Sequence, residues 1–391
     1  MPQTDNESPP APIGGTAPGG ATPGKTGPAE APPGEPLELS WHNAQGNILG
    51  LALFNFALRV ATLGIYHFWG KTEVRKRIWA ASRLQGEPLE YTGTGWELFL
   101  GFVIVFFLVI LPLAILSFGI QVFVTSKATV GILTFALYAV FFFLIGMGSY
   151  RAKRYRLSRT KWRGIRGSLS GGKSFKYGML YFATGLLIPL TGGWIIPWRE
   201  TVLQRFMTNE TKLGNRRLTF TGQAGPLYRR YWAVWLAGIT AYVGGFSALM
   251  AYFGPQISRA LRGVPWKITT GEYVVIGIII FGALLFYALI KAWYSAGLIN
   301  YFASQTWFGR ARFKGSATAT SLVWLTFTNF LISVLSLGAL SPIAQSRFMR
   351  YYMTRLDFDG NVPLARVGQN EEEMVARGEG LATAFDIDAF G

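Results

Sequence analysis

The chain has 391 residues, half of them hydrophobic and only 15% charged. Because soluble domains average about 25% charged residues, this composition excludes an ordinary soluble protein and indicates one that lies in a membrane. No cysteine is present, which excludes disulfides, thiolate metal sites and cysteine nucleophiles. Two histidines, His42 and His67, are too few for a multi-histidine metal centre, so we expect no metal and no other cofactor.

Charge is spread unevenly along the chain. The formal net charge is +17, yet residues 1–40 and 361–391 each carry −4, so the intervening residues 41–360 carry +25. The basic residues lie in blocks between long apolar runs. This arrangement favours anionic membrane lipids over nucleic acid as the partner.

Both ends of the chain differ in composition from the middle. Residues 1–37 are rich in proline, glycine and alanine and contain no apolar run, which predicts a disordered tail and not a signal peptide. Residues 361–391 form an acidic C-terminal tail. We therefore expect a membrane domain over residues 38–360.

Four segments carry no charge over 18 to 23 residues: 98–120, 128–150, 231–253 and 273–290. An α-helix of about 20 residues crosses a hydrocarbon core of about 30 Å, so these segments are predicted to be transmembrane helices. They are expected to pair as two helical hairpins, about 98–150 and 231–290.

Three further apolar segments, 48–69, 177–198 and 321–343, are interrupted by glycine or proline, which weaken or break helices. We interpret them as copies of one repeat unit, about 48–93, 177–222 and 321–360, because each copy closes with Leu-x-(Tyr/Phe)-x-Gly. The candidate functional positions of the repeat are Gly64, Trp69, Lys76, Gly193, Trp198, Arg205, Gly338, Pro342 and Arg350.

The run TLGIYHFWGK at 62–71, the basic stretch after it and the closing LEYTG resemble the YjgN-like family of bacterial inner-membrane proteins. The block RYRLSRTKWRGIR at 154–166 shares this resemblance, which covers about residues 38–360. The family is a domain of unknown function. The resemblance therefore implies a multi-pass architecture in the bacterial cytoplasmic membrane and implies no chemistry.

Two topologies remain open. If all seven apolar segments cross the membrane, the two sides hold 22 and 12 basic residues. If the three interrupted segments enter and leave on one side, the two sides hold 30 and 4, which agrees better with the positive-inside rule. Against this second topology, broken helices in lipid need protein or water around their freed backbone groups.

Charged residues near or inside apolar segments are the remaining candidates. Arg59 lies within one, where a charge is costly and is a candidate for a functional role; the alternative is that its side chain snorkels to the membrane interface. Arg75, Arg77, Arg163 and Arg166 are candidates for binding anionic lipid headgroups. Acidic residues are absent from the middle of every apolar segment, which argues against a carboxylate proton relay.

The expected fold class is all-α, a polytopic helical membrane protein with three internal repeats and two intervening helical hairpins. No catalytic constellation is visible in the sequence, so we do not expect an enzyme. Broken helices and repeats are typical of a transporter or channel, here for a small anionic solute. The alternative is a non-transporting lipid-binding or scaffold protein, and the sequence names no protein partner.

Overall fold

The structure, a computed structural model, describes residues 35–43, 48–263, 269–362 and 367–368. Most of these residues are helical. The ten helices in the described ranges are α1 (Ile48–Ala61), α2 (His67–Ala81), α3 (Gly95–Phe123, with a π-helical turn at Phe106–Ile110), α4 (Lys127–Arg159), α5 (Ser174–Leu190), α6 (Ile196–Asn209), α7 (Gly225–Leu261), α8 (Thr270–Ser304), α9 (Ala319–Leu335) and α10 (Ser341–Met353).

Four of these helices, α3, α4, α7 and α8, are long and apolar enough to cross a membrane. They have 29 to 37 residues. At about 1.5 Å per residue they are about 44 to 56 Å long, so each exceeds a hydrocarbon core of about 30 Å. The four predicted transmembrane segments lie inside them.

The three interrupted segments each form two shorter helices joined by a tight turn. The first helix of each pair has 14 residues in α1 and 17 residues in α5 and α9. These helices are therefore about 21 to 26 Å long, which is less than the thickness of the hydrocarbon core.

The three tight turns have the same hydrogen-bond pattern. The amide of the turn glycine donates to the carbonyl five residues earlier at 2.7 to 2.8 Å. The residue two before the glycine has a side-chain hydroxyl, which accepts a hydrogen bond from the backbone amide two residues after the glycine. These hydroxyls belong to Thr62, Thr191 and Ser336. The turn glycines are Gly64, Gly193 and Gly338, with φ of +94°, +84° and +80°, a region that favours glycine because it has no Cβ.

The all-α prediction is wrong, because thirteen short strands connect the helices in the described ranges. They are β1 (Glu35–Pro36), β2 (Leu39–Trp41), β3 (Ser82–Leu84), β4 (Glu87–Pro88), β5 (Glu90–Tyr91), β6 (Thr160–Trp162), β7 (Ile165–Leu169), β8 (Thr211–Leu213), β9 (Arg216–Phe220), β10 (Thr306–Phe308), β11 (Ala311–Gly315), β12 (Leu356–Asp359) and β13 (Asn361–Val362). Strands of two to five residues are too short for an alternating pattern to stand out in the sequence.

The strands join into one eight-stranded antiparallel sheet, β12-β11-β10-β9-β8-β7-β6-β5, and a three-stranded sheet, β2-β3-β4. A separate pair, β1 with β13, joins the two ends of the described chain. Within the described ranges, four tight turns between paired strands, β3–β4, β6–β7, β8–β9 and β10–β11, lie between the five helical hairpins.

Each helical hairpin begins after one strand and ends before the strand that pairs with it. The first hairpin, α1–α2, lies between β2 and β3, and the second, α3–α4, between β5 and β6. The third, α5–α6, lies between β7 and β8, the fourth, α7–α8, between β9 and β10, and the fifth, α9–α10, between β11 and β12. Both ends of every hairpin are therefore held at the sheets.

The helices contact one another in chain order, and the order closes because α10 contacts α1 and α2. At the sheets, strand residues from successive hairpins converge on one apolar cluster. Its fully buried members include Trp162, Phe308, Ala311 and Val362, with Leu84 packed against them. The strands thus bind the roots of the five helical hairpins together.

The predicted division into tail, membrane domain and tail stays a prediction. Residues 1–34 and 369–391, which hold most of both predicted tails, lie outside the described residues.

Candidate functional site

The candidate site lies where the first helical hairpin packs against the fifth. A cleft of about 190 Å³ opens between α1, α2 and α10. Arg59 enters it from α1, His67 and Lys71 from α2, and Pro342 and Gln345 from α10. We call this junction the seam.

A second cleft of about 210 Å³ continues along the seam between α2 and α10. It shares Lys71 and Gln345 with the first cleft and adds Arg75 and Trp79. The two clefts thus adjoin, with Arg59 and Lys71 lining the first and Lys71 and Arg75 lining the second.

The seam has a positive electrostatic character. No acidic side chain is among the described residues that line either cleft. The first residues of α2 and α10, His67 and Ser341, both lie at the first cleft, so two helix N-termini direct the positive ends of their dipoles toward it. This combination suits a bound anion.

Arg59 is positioned by its own helix and by the turn of the fifth helical hairpin, at Gly338 (the fifth turn). Its guanidinium lies over the ring of Phe56, 5.4 Å from the ring centroid. A Cβ placed on Gly338 would lie 3.8 Å from Nη2 of Arg59. Gly338 thus leaves the space beside the guanidinium open. Arg59, the charged residue predicted within an apolar segment, therefore lines a cleft.

The structure separates the three turn glycines that the repeat places together. Of the three, Gly338 lines the first cleft, whereas neither Gly64 nor Gly193 lines either cleft. The turn of the third helical hairpin, at Gly193 (the third turn), packs on α7 instead. The hydroxyl of Tyr231 donates to the carbonyl of Gly193 at 2.8 Å, and Trp235 Nε1 donates to the neighbouring Gly192 carbonyl at 2.8 Å.

The two repeat tryptophans have different surroundings. Trp69 stacks on Tyr66 and packs against Phe99, with ring centroids 6.4 and 5.6 Å apart. Trp198 is 39% exposed. Neither lines the seam clefts, so the shared position is not a shared site in this fold.

The three repeat basic residues also lie apart from the clefts. Lys76 forms an exposed ion pair with Glu73 at 2.9 Å. Arg205 donates through Nη2 to the carbonyl of Gly222 at 2.6 Å, which ties α6 to the end of its repeat unit. Arg350 is exposed on α10.

The four arginines expected at lipid headgroups divide by exposure. Arg75 is only 6% exposed and donates to the hydroxyl of Tyr91 at 3.2 Å. Arg77 and Arg166 are half-buried, and Arg163 is half-exposed at the β6–β7 turn. Headgroup binding by these residues stays a prediction, and the burial of Arg75 directs its guanidinium to protein partners.

Glu200, which was not among the predicted site residues, lies two residues beyond the second interrupted segment. Its carboxylate accepts a hydrogen bond from the hydroxyl of Tyr294 at 3.1 Å. Burial raises the pKa of Glu200 above its ordinary value, although the Tyr294 hydrogen bond and the charges of Lys291 and Arg199 act to lower it.

The predicted repeat contained a signal for Glu200. It lies seven residues after Gly193, as Lys71 lies seven residues after Gly64 and Gln345 seven after Gly338. The other two residues at this position line the seam.

Comparison with known proteins identifies a matching protein family and one partial relative. The family model for a bacterial protein of unknown function (DUF898) matches residues 36–384. A stretch of 74 residues is 34% identical to the inner membrane protein YjgN of Salmonella typhimurium (strain LT2), and covers 19% of this chain and 19% of that relative. No solved structure matches.

Proposed function

The chain belongs to the DUF898 family of bacterial proteins of unknown function, and we propose from its own geometry that it is a multi-pass inner-membrane transporter or channel for a small anionic solute. The proposal places the solute at the seam. It includes no enzymatic step. It agrees with the match to an inner membrane protein and with four helices that can cross a membrane.

One observation carries the proposal: the two adjoining clefts of the seam present Arg59 and Lys71 in succession and no acidic side chain among their described lining residues. Desolvated cations attract an anion more strongly than exposed ones, because the effective dielectric constant falls from about 80 in water to about 20 near protein. Several cations in succession let an anion leave one for the next.

We propose that four helices cross and that the three short hairpins are re-entrant. Both ends of each short hairpin root in paired strands, so each returns to the side from which it starts. The third turn is held by Tyr231 and Trp235, within the first 11 residues of the 37-residue α7, so it lies far short of the other end of that helix. In this topology the sheet side carries most of the basic residues, which makes it the cytoplasmic side.

We also propose that the three short hairpins, each with the strands that follow, are copies of one unit. The identical hydrogen bonds of their turns support this. A further match joins the first and fifth hairpins: Asn55 Nδ2 donates to the carbonyl of Gly70, and Asn329 Nδ2 to that of Ala344, both at 3.3 Å and both across 15 residues.

The second candidate function is binding of an anionic lipid headgroup without transport. A specific observation favours it: Leu63 and Leu337, at the tips of the two hairpins that form the seam, are 95% and 84% exposed. Exposed leucines beside a cationic cleft suit acyl chains beside a headgroup. Both candidates share the chemistry of an anionic group bound at Arg59 and Lys71.

The test uses the full chain in liposomes of neutral lipid on a solid-supported membrane. Jumps in inorganic phosphate, chloride and succinate concentration are applied, and the transient current is recorded. We expect a current with at least one of these anions. The variant Lys71→Gln is expected to reduce it about tenfold, because loss of one cation near the anion removes roughly 1–2 kcal/mol of attraction after screening.

Lys76→Gln is the matched control, since Lys76 lies on the same helix but outside both clefts, and it is expected to keep the current. Native mass spectrometry of both variants separates the two candidate functions. If the wild-type chain retains anionic lipid and Lys71→Gln does not, and if no anion gives a current, the result supports the headgroup site. An equal current in wild type and in Lys71→Gln would refute the seam as the path.

A further inference from the structure

Glu200 lies in the third helical hairpin at the repeat position that faces the seam in the first and fifth. It is the fifth residue of α6, which contacts α7, and Tyr294 of α8 reaches it through a hydrogen bond. In place of a cationic cleft, this position meets a group of tyrosines. Tyr294 of α8 donates to Glu200 at 3.1 Å and is itself only 3% exposed.

The tyrosine group connects Glu200 to the third turn. The ring of Tyr294 packs edge-on against Tyr231, with centroids 5.4 Å apart. Tyr231 is 5% exposed, and its hydroxyl donates to the carbonyl of Gly193 at 2.8 Å. A change at the carboxyl of Glu200 therefore acts directly on Tyr294, and Tyr294 contacts Tyr231, whose hydroxyl holds the turn at Gly193.

Among the described residues, the charged and titratable groups that act on Glu200 are Arg199 of its own helix, Tyr231 of α7, and Lys291 and Tyr294 of α8. Tyr228 of α7 and Tyr287 of α8 lie next to Tyr231. None of these side chains is ion-paired to Glu200 within 4 Å in the described structure. The carboxyl thus relies on one hydrogen bond and on two cations at longer range, and burial favours its neutral form.

We propose that Glu200 is a proton-binding site whose occupancy changes the hold of the tyrosine group on the third turn. When Glu200 is charged, the Tyr294 hydrogen bond is charge-assisted, and such bonds are roughly twice as strong as neutral ones. Binding of a proton to the carboxylate removes that advantage and adds a donor at the carboxyl. The site takes a proton as its ligand, and it is separate from the anion seam, so either proposal can fail without the other.

The first test is infrared difference spectroscopy of the full chain in lipid during a pH titration. A protonated carboxyl shows a carbonyl band that is absent from a carboxylate. We expect a band that titrates above the ordinary range of glutamate and is lost in Glu200→Gln. Glu73→Gln, on the exposed side of α2, is the control and is expected to keep the band.

Tyr294→Phe makes the test specific. Removal of the donor withdraws an interaction that favours the charged carboxyl, so the midpoint of the band is expected to move to higher pH. Size-exclusion chromatography verifies that each variant is folded. A band that is unchanged in Glu200→Gln would overturn the proton site, and an unmoved midpoint in Tyr294→Phe would overturn the role of Tyr294.

The effect on the turn has its own readout. Because the chain has no cysteine, Leu190→Cys at the exposed end of α5 can carry a single environment-sensitive fluorophore. We expect its emission to change across the infrared titration and to stay constant when Glu200→Gln is added. Emission that follows pH equally in both backgrounds would overturn the connection to the turn.

Discussion

The replacement Gly338→Ala tests the fifth turn and, with it, the choice between a re-entrant hairpin and a continuous helix. Gly338 has φ of +80°, in the left-handed region where an L-residue places Cβ too close to its following carbonyl. The change adds a single methyl group. Its effect on the free energy of unfolding has opposite signs in the two topologies.

The magnitude follows from the local geometry. The left-handed conformation costs roughly 1–2 kcal/mol for alanine. The added Cβ would lie 3.8 Å from Arg59 Nη2, an ordinary contact, so packing adds little to the cost. If residues 321–343 instead formed one continuous crossing helix, alanine would stabilise it by about 0.8–1 kcal/mol over glycine. The two topologies thus differ by roughly 2–3 kcal/mol.

Thermal unfolding of the purified chain in detergent measures the difference. For a chain of this size, 1 kcal/mol moves the midpoint by about 2 °C, so we expect a fall of about 2–4 °C. Gly64→Ala, at φ of +94° with open space around it, is expected to have the same effect from backbone conformation alone. Gly244→Ala, within α7 and also without neighbours, is the control and is expected to be neutral or stabilising.

The reasoning is refuted if Gly338→Ala and Gly64→Ala both raise the midpoint as Gly244→Ala does. That outcome would mean that the chain runs through both positions as helix. The re-entrant hairpins, and the seam that two of them form, would then have to be abandoned.

The pKa of Glu200 is raised in the folded chain, so its favourable contribution to the free energy of unfolding is present below the unfolded pKa and is lost as pH rises through the folded pKa. The variant Glu200→Gln should therefore gain thermal stability relative to wild type as pH rises through this interval. A difference that stays constant with pH would contradict this prediction. Trp235→Phe leaves the Gly192 carbonyl without its indole donor and should lower the free energy of unfolding by about 0.5–1.5 kcal/mol in thermal scans, whereas an unchanged midpoint would argue against this contact. Thr125 lies between α3 and α4, and Arg310 lies in the β10–β11 turn. Single cysteines at these two positions should be labelled from opposite sides of the membrane in intact cells. Labelling of both from one side would contradict four crossings.

The membrane character and the long helices were predictable because hydropathy is a local property. Residues 98–120 and 128–150 have no charge, so no fold of this chain can place them in water cheaply, and α3 and α4 contain them. The breaks were equally local. Gly64 and Gly338 interrupt apolar runs, and both adopt the left-handed conformation that glycine favours.

The strands were not predictable by the same means. β6 and β10 have three residues each; β6 follows directly on a helix of 33 residues, and β10 follows a helix of 35 residues after Gln305 alone. Their pairing joins residues that are far apart in the sequence, such as Thr306 with Phe220, and no local pattern encodes such a partner.

What the sequence by itself determined is where the chain is apolar, where its helices break and which positions recur. Only the tertiary structure decided that the first and fifth helical hairpins meet, that Arg59 and Lys71 line one seam, and that Glu200, at the recurring position of Lys71, lies among tyrosines instead. The physical reason is that hydropathy and backbone preference act over a few residues. The surroundings of a charge, in contrast, depend on which distant helix packs against it, and that is fixed by the strand pairing and ring closure of the whole chain.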